Sequence, residues 1–220
     1  MEVVGLNKIV DALGNAFSVF DFSFFISGAV TLGFIALDLH YYGYDGILQL
    51  QGWTSVLIYI LAIYVCGLMS WSIGKQMRWG LLRLLWGKDG IKKDFDKILK
   101  ETLSVKVSKE VTVNTTETSL YQQMWIKIEK DPKSAGRMSY LNKMWVMVAL
   151  FEGLSFSWIV GLLVYLDGRL VGGWITTSNV YFNIVPCAVL IGLAIVSFHR
   201  ATIYSRDLIK EVIATFNSLD

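Results

Sequence analysis

The sequence predicts an all-α protein that crosses a membrane four times and carries a helical domain on one side of it. Apolar residues make up 54% of the chain and charged residues only 17%, a composition outside the range of soluble domains. Four apolar runs approach or exceed the roughly 20 helical residues that cross a bilayer core. The Lys and Arg residues are concentrated in one connection between these runs, and such asymmetry orients membrane helices.

The apolar runs are predicted to be helices because polar and apolar residues do not alternate along them, as they would in strands of a membrane barrel. The fourth run contains Asn183 and Pro186 near its outer end, where a lost backbone hydrogen bond is most easily replaced. The predicted spans cover residues 22–37, 53–73, 144–166 and 180–198.

The distribution of basic residues predicts the orientation. Residues 75–143 contain fifteen of the twenty Lys and Arg residues, against eight Asp and Glu. Because cytoplasmic loops carry the excess of Lys and Arg, this connection is expected in the cytoplasm. The connector 40–51 has no Lys or Arg and the connector 167–178 has only Arg169, so both are expected outside. The two termini are then cytoplasmic.

Five segments follow one another in this prediction. The first has apolar residues at helical three- and four-residue spacing, and it either lies in the membrane interface or packs on the cytoplasmic domain. The predicted order is an amphipathic cytoplasmic helix (1–20), a transmembrane hairpin (21–74), a basic cytoplasmic insert (75–143), a second transmembrane hairpin (144–198) and a cytoplasmic C-terminal helix (199–220).

The insert is predicted to be mainly helical. The second span continues to Trp86, and helices are expected at 91–103 and at 119–130, the latter ended by the Pro at position 132. Residues 104–118 alternate Val with polar residues, and they form either short strands or a polar linker. Helical spacing continues beyond the fourth span, which predicts one helix over 180–216.

Small residues four apart allow close packing of membrane helices. Gly153, Ser157 and Gly161 form the longest such series, on the third span. The packing partner is either another helix of the same subunit or a second copy of the chain. Pairs with the same spacing occur on the other spans: Ala29 and Gly33, Ser70 and Gly74, and Ala188 and Gly192.

Glu152 is the only acidic residue well inside a predicted span. A charged carboxylate there costs at least about 2.5 kcal/mol on insertion scales, so it should face the bundle, a partner or water. Three roles remain open: an ion pair or hydrogen bond, with Lys143 or Arg78 as possible partners; a pore or gate; and proton transfer. Glu152, Gly153, Ser157 and Gly161 are the candidate pore or gate residues.

The lysines of the insert are candidates for binding a soluble partner protein or an anionic signal. A signal for membrane orientation together with a solvated surface also explains them, and no specific nucleic-acid motif accompanies them. The candidates are Lys92, Lys93, Lys97 and Lys100, with Lys106 and Lys109 further along.

Catalytic and metal motifs are missing from the sequence. There is no Gly-rich phosphate loop, HExxH, GxSxG or intramembrane Asp pair. His40 and His199 have no Cys or Glu at ligand spacing, which argues against a metal site, and Cys66 and Cys187 form no CxxC motif. We therefore expect no enzyme activity, no metal and no cofactor.

Three functions fit this organisation: a homo-oligomeric channel-like effector gated through its cytoplasmic domain, a membrane-anchored sensor or scaffold, and a small transporter or membrane enzyme. The first is favoured, because four spans with few polar residues cannot enclose a wide aqueous path without further copies, and apolar faces of the cytoplasmic helices need burial.

The layout of two transmembrane hairpins around a basic cytoplasmic insert resembles the small multi-span effectors and sensors of bacterial anti-phage defence systems. The resemblance implies a protein of the bacterial inner membrane. It would be opened by a signal or partner and would permeabilise that membrane, or it would report infection to a soluble protein.

Overall fold

The computed structural model describes residues 19–44, 52–86, 117–171 and 180–219 of the chain. Within these ranges all regular secondary structure is helical. The α-helices are α1 (Val19–Tyr41), α2 (Trp53–Trp86), α3 (Glu117–Lys130), α4 (Ala135–Val171) and α5 (Val180–Asn217), with a 3₁₀ turn (Pro132–Ser134) before α4.

Four of these helices, α1, α2, α4 and α5, are long and apolar enough to cross a membrane. They contain the four predicted spans. The all-α class is therefore confirmed for the described residues, and so is the prediction of four helices long and apolar enough to cross a membrane. Two of the predicted extensions are also present, since α2 continues to Trp86 and α5 reaches Asn217 as one helix.

Helix α1 ends in a glycine turn at Gly43, between Tyr42 and Tyr44. Gly43 has φ +77°, a left-handed conformation that costs glycine little because it has no Cβ. The Tyr44 N–H donates to Leu39 O at 2.9 Å and the Gly43 N–H to His40 O at 3.0 Å. These two bonds form a Schellman motif, which satisfies carbonyl groups that the helix end leaves without partners.

A short turn joins α3 to α4. The Asp131 side chain accepts a hydrogen bond from the Lys133 N–H at 2.9 Å and caps the 3₁₀ turn that begins at Pro132. Ser134 Oγ donates to the backbone carbonyls of Ile128 and Asp131. The predicted end of α3 before Pro132 is therefore confirmed, because proline has no N–H with which to continue the helix.

The described chain divides into two compact units. The first unit comprises the described residues up to Met77 together with Ala149–Ala201, and the second comprises those of Arg78–Val148 and Thr202–Asp220. Helices α2, α4 and α5 contribute residues to both units.

The second unit has a hydrophobic core of ordinary type. Residues of α3, α4 and α5 meet there, and Tyr121, Trp125 and Phe216 pack around them. Lys127 Nζ lies 4.8 Å from the Phe216 ring centroid, as a cation–π contact at the edge of this core. The buried core residues are Met124, Ile128, Leu141, Met144, Leu208, Val212 and Ile213.

Several predicted features lie outside the described residues. They are the amphipathic N-terminal helix as far as residue 18, the helix at 91–103, the strand or linker alternatives over most of 104–118, and the six candidate lysines of the insert.

Candidate functional site

The first unit contains a group of polar side chains between its helices, which we call the polar cluster: Ser27 and Thr31 of α1, Ser70 and Trp71 of α2, and Glu152 and Ser157 of α4. All but Trp71 are buried. Since all six lie within helices apolar enough to span a membrane, their polar groups need partners inside the protein.

Three hydroxyl groups from three helices form a line across the cluster. Thr31 Oγ1 lies 2.8 Å from Ser70 Oγ and donates to Ser157 Oγ, also at 2.8 Å. Ser157 Oγ in turn donates to Ser27 O at 3.0 Å and to Gly153 O at 2.9 Å. The line therefore ties α1, α2 and α4 together through hydrogen bonds.

Glu152 lies five residues before Ser157 on α4, about 7.5 Å along the helix axis. Its side chain is 2% exposed, and its Oε2 accepts a hydrogen bond from Trp71 Nε1 at 2.9 Å. The indole can satisfy the carboxylate while its ring stays in apolar surroundings. Lys75 Nζ lies 5.2 Å from the centroid of the same ring.

Glycines bring the backbones of these helices very close together. A Cβ on Gly74 of α2 would lie 1.9 Å from the backbone carbonyl oxygen of Glu152, so α2 and α4 touch through their backbones at this residue. On α4, a Cβ on Gly153 would lie 2.6 Å from Ser27 Oγ, and one on Gly161 would lie 2.5 Å from the Phe34 ring.

The structure brings together the four residues predicted as pore or gate candidates. Glu152, Gly153, Ser157 and Gly161 are all buried, and each contacts α1 or α2 of the same chain. Sequence analysis left open whether the small residues pack within one subunit or between copies. For this series, and for Ser70 with Gly74, the described contacts are within one chain. Trp71, the hydrogen-bond donor to Glu152, was not among the partners that the sequence suggested.

The other two small-residue pairs lie in different surroundings. Ala29 and Ala188 are exposed, and a Cβ on Gly33 or Gly192 would meet no atom within 4 Å. These two pairs therefore present smooth, open helix surfaces.

Sequence reasoning missed a close backbone contact between α1 and α2. A Cβ on Gly28 would lie 1.8 Å from Ile63 O, and one on Gly67 would lie 1.9 Å from Phe24 O. Neither glycine has a small residue four positions away, so the small-residue spacing rule does not detect them. The signal available was the presence of a lone glycine in an apolar helix, which costs helix stability unless packing requires it.

Two tyrosines bind acidic residues of the first unit. Tyr64 Oη donates to Asp21 Oδ1 at 2.9 Å, and Tyr42 Oη donates to Asp167 Oδ2 at 2.6 Å. The hydrogen bond to Asp167 raises the pKa of Tyr42 above its usual value, with smaller contributions from burial and from the negative charges of Asp167 and Asp38.

The described residues include no group of three or more His, Cys, Asp or Glu residues placed to hold a metal ion. Comparison with protein-family models, with curated proteins and with solved structures found no match to this chain. The arguments for function therefore rest on the geometry of the polar cluster.

Proposed function

We propose that this protein is a homo-oligomeric, channel-like effector of a bacterial inner membrane, and that the polar cluster is its ion-conducting or gating element. The cytoplasmic domain, with both termini on the same side, receives the signal or partner that opens it. A role in anti-phage defence fits this activity, because opening such a channel would depolarise the infected cell.

The observation that carries this proposal is the burial of the Glu152 carboxylate on α4, the helix that also contributes Ser157 to the line of hydroxyl groups from three helices apolar enough to span a membrane. Acidic groups inside spans are rare because they are costly, and they characteristically mark ion or proton pathways. A chain of hydroxyls can replace part of the water shell of an ion. A carboxylate would favour cations over anions in such a path.

In the closed arrangement the cluster is tightly packed, so conduction requires the helices to separate. The hydrogen bonds involved are individually weak, on average about 0.6 kcal/mol between membrane helices. The binding free energy of an ordinary signal molecule or partner is therefore sufficient to separate α4 from α1 and α2. Movements of α2, α4 or α5 in the second unit would be transmitted along helices that both units share.

Several copies are needed for a conducting path, because the helices of one subunit carry few polar groups. The open surfaces at Ala29 with Gly33, and at Ala188 with Gly192, permit another helix to approach closely. We expect Gly33→Leu and Gly192→Leu to weaken the oligomer without unfolding the subunit, measured as the mass of the protein in nanodiscs.

Ion flux from proteoliposomes tests the role of the polar cluster. Glu152→Gln keeps the shape and an oxygen that accepts from Trp71 Nε1, but it removes the charge. Glu152→Ala removes both the charge and the oxygen that accepts from Trp71 Nε1. If the charge acts in conduction, Gln should lower cation flux about tenfold, the effect of about 1.4 kcal/mol on a barrier, while the subunit keeps its stability.

Glu129→Gln is the matched control, since Glu129 is an exposed acid of the second unit. A different pattern would contradict the proposal: normal flux in Glu152→Gln, with lower stability only in Glu152→Ala, would make the carboxylate a structural hydrogen-bond acceptor. No flux from any oligomer of the wild type, together with specific capture of a soluble protein, would instead favour the sensor or scaffold.

A further inference from the structure

An open cleft of about 500 Å³ lies in the second unit between α4 and α5. Its α4 side carries Tyr140 and Lys143, and its α5 side carries Tyr204, Asp207, Lys210 and Glu211. Because these residues recur at three- and four-residue spacing, each helix presents one face to the cleft.

The charged side chains of this cleft have no partner among the described residues. Lys143, Lys210, Asp207 and Glu211 form no ion pair or side-chain hydrogen bond with each other or elsewhere in the part of the chain that the structure describes. Asp207 and Glu211 are four residues apart on one helix, where like charges repel and destabilise the helix. A bound cation would relieve this repulsion.

The two lysines and two carboxylates give the cleft both signs of charge and no net charge. A simple anion would be attracted by the lysines and repelled by the carboxylates. A zwitterion with a phosphate and an ammonium group can pair with both sets. An ammonium group that keeps its N–H donors gains more here than a quaternary one, because carboxylates and tyrosine hydroxyls accept hydrogen bonds.

The cleft also has apolar residues, and they indicate where the zwitterion comes from. Met144 and Met147 line it, and Met144 is the residue at which the third span was predicted to begin. Tyr and Lys side chains are typical of the headgroup level, where an apolar stem and a polar end meet different surroundings. A lipid would place its headgroup among the charges and its acyl chains along the methionines.

We propose that this cleft binds the headgroup of an aminophospholipid such as phosphatidylethanolamine. Lys143 and Lys210 hold the phosphate, and Asp207 and Glu211 hold the primary ammonium group. The site requires that the protein sit in a membrane, but it does not depend on ion conduction.

Native mass spectrometry of the full chain in detergent tests this site. Phosphatidylethanolamine, phosphatidylcholine and phosphatidylglycerol with the same acyl chains are titrated in turn. We expect phosphatidylethanolamine to bind about tenfold more tightly than either of the others, the effect of one good charge-assisted hydrogen bond. Lys143→Gln with Lys210→Gln should abolish this preference, and so should Asp207→Asn with Glu211→Gln.

The matched control for the lysines is Lys130→Gln with Lys133→Gln, and for the acids it is Glu129→Gln, since all three residues are exposed away from the cleft. These variants should bind as the wild type does. Lys143→Arg with Lys210→Arg keeps both positive charges and should retain binding, which separates loss of charge from loss of fold.

Three results would overturn the proposal. If phosphatidylglycerol bound as tightly as phosphatidylethanolamine, only the phosphate would be recognised. If phosphatidylcholine bound as tightly, the N–H donors of the ammonium group would not be recognised. Full displacement of the lipid by glycerophosphoethanolamine at an equal concentration would identify a free zwitterion as the ligand. Because no flux is measured, failure here leaves the channel proposal standing, and failure of the channel leaves this site standing.

Discussion

The two units of this protein bury opposite kinds of side chain. The buried residues of the second unit are mostly large and apolar, as at Met124, Leu141 and Ile213. Those of the first unit are mostly small and polar, as at Ser27 and Ser157, and large apolar side chains lie on its outside. Leu57, Leu61 and Ile195, for example, are each more than 60% exposed.

This difference is the one expected if the first unit lies among lipid chains and the second in water. In water, burying apolar surface drives helices together, at about 25 cal/mol for each Å². Between lipid chains that gain disappears, because the hydrocarbon is as apolar as leucine, and close contact and hydrogen bonds must hold the helices together. The first unit uses backbone contacts at glycines and a hydroxyl line; the second uses a hydrophobic core.

The largest effect should come from emptying the core of the second unit. Ile213 is fully buried there, so Ile213→Ala should lower the free energy of unfolding by roughly 2–5 kcal/mol through lost burial and a cavity. Ile195→Ala in the first unit is the matched control. With 61% of its side chain exposed, it should change stability by less than about 0.5 kcal/mol. Denaturant unfolding in detergent measures the stability of both variants. Equal losses of stability in Ile213→Ala and Ile195→Ala would contradict the difference between the two units.

Adding one methyl group between the helices of the first unit should have the next largest effect. A Cβ at Gly67 would meet Phe24 O at 1.9 Å, so α1 and α2 must separate. Gly67→Ala should therefore cost about 1–3 kcal/mol. Gly33→Ala makes the same change where nothing lies within 4 Å, and it should leave the stability of the subunit unchanged. An unchanged free energy of unfolding in Gly67→Ala would contradict the close backbone contact.

Removing the central hydroxyl of the polar cluster should have a smaller effect. Thr31→Val keeps the side-chain volume but removes the hydrogen bonds to Ser70 and Ser157. The loss should be about 0.6–1.7 kcal/mol, the range measured between membrane helices. It is limited because Ser70 Oγ can still donate to Cys66 O, at 2.7 Å. Ser72→Ala, on the exposed face of α2, is the control, and an equal loss there would mean that the hydroxyl line does not hold the helices.

The smallest effect concerns Tyr42 and appears only in alkaline solution. Its pKa is raised in the folded protein by the hydrogen bond to Asp167, so folding favours the protonated phenol. The resulting stabilisation is fully present below the unfolded pKa of about 10. It is lost as the pH rises through the raised pKa of Tyr42.

Unfolding midpoints of the wild type and Tyr42→Phe, compared over rising pH, measure this effect. The difference between the two should shrink above about pH 10, where the wild type loses its stabilisation. The exposed neighbour Tyr44 supplies the control Tyr44→Phe. A difference that stays constant with pH would show that the Tyr42 hydrogen bond does not contribute to folding.

Much of the fold could be predicted from the sequence because long apolar helices leave a strong local signal. Their length and apolar composition identify the four candidate spans, and the proline after Asp131 marks the end of α3. Continuous helical spacing past residue 198 predicted that α5 would reach its observed end near Asn217. Each of these features depends on residues close together in the chain.

The site was only partly predictable, because its contacts join residues far apart in sequence. Glu152 and the small series on α4 were found from their composition and spacing. The hydrogen bond from Trp71, and the line from Ser70 through Thr31 to Ser157, depend on how three helices are rotated about their axes. Their hydrophobic surfaces are nearly uniform, so the sequence pattern does not specify that rotation.

Reversal potentials in planar bilayers, with a KCl gradient across the membrane, test most directly whether the polar cluster conducts ions. The wild-type protein should give conductance events with a reversal potential near that of the cation, and Glu152→Gln should move it toward zero while Glu129→Gln leaves it unchanged. Absence of conductance in the wild-type protein, or an identical reversal potential in Glu152→Gln, would contradict the account.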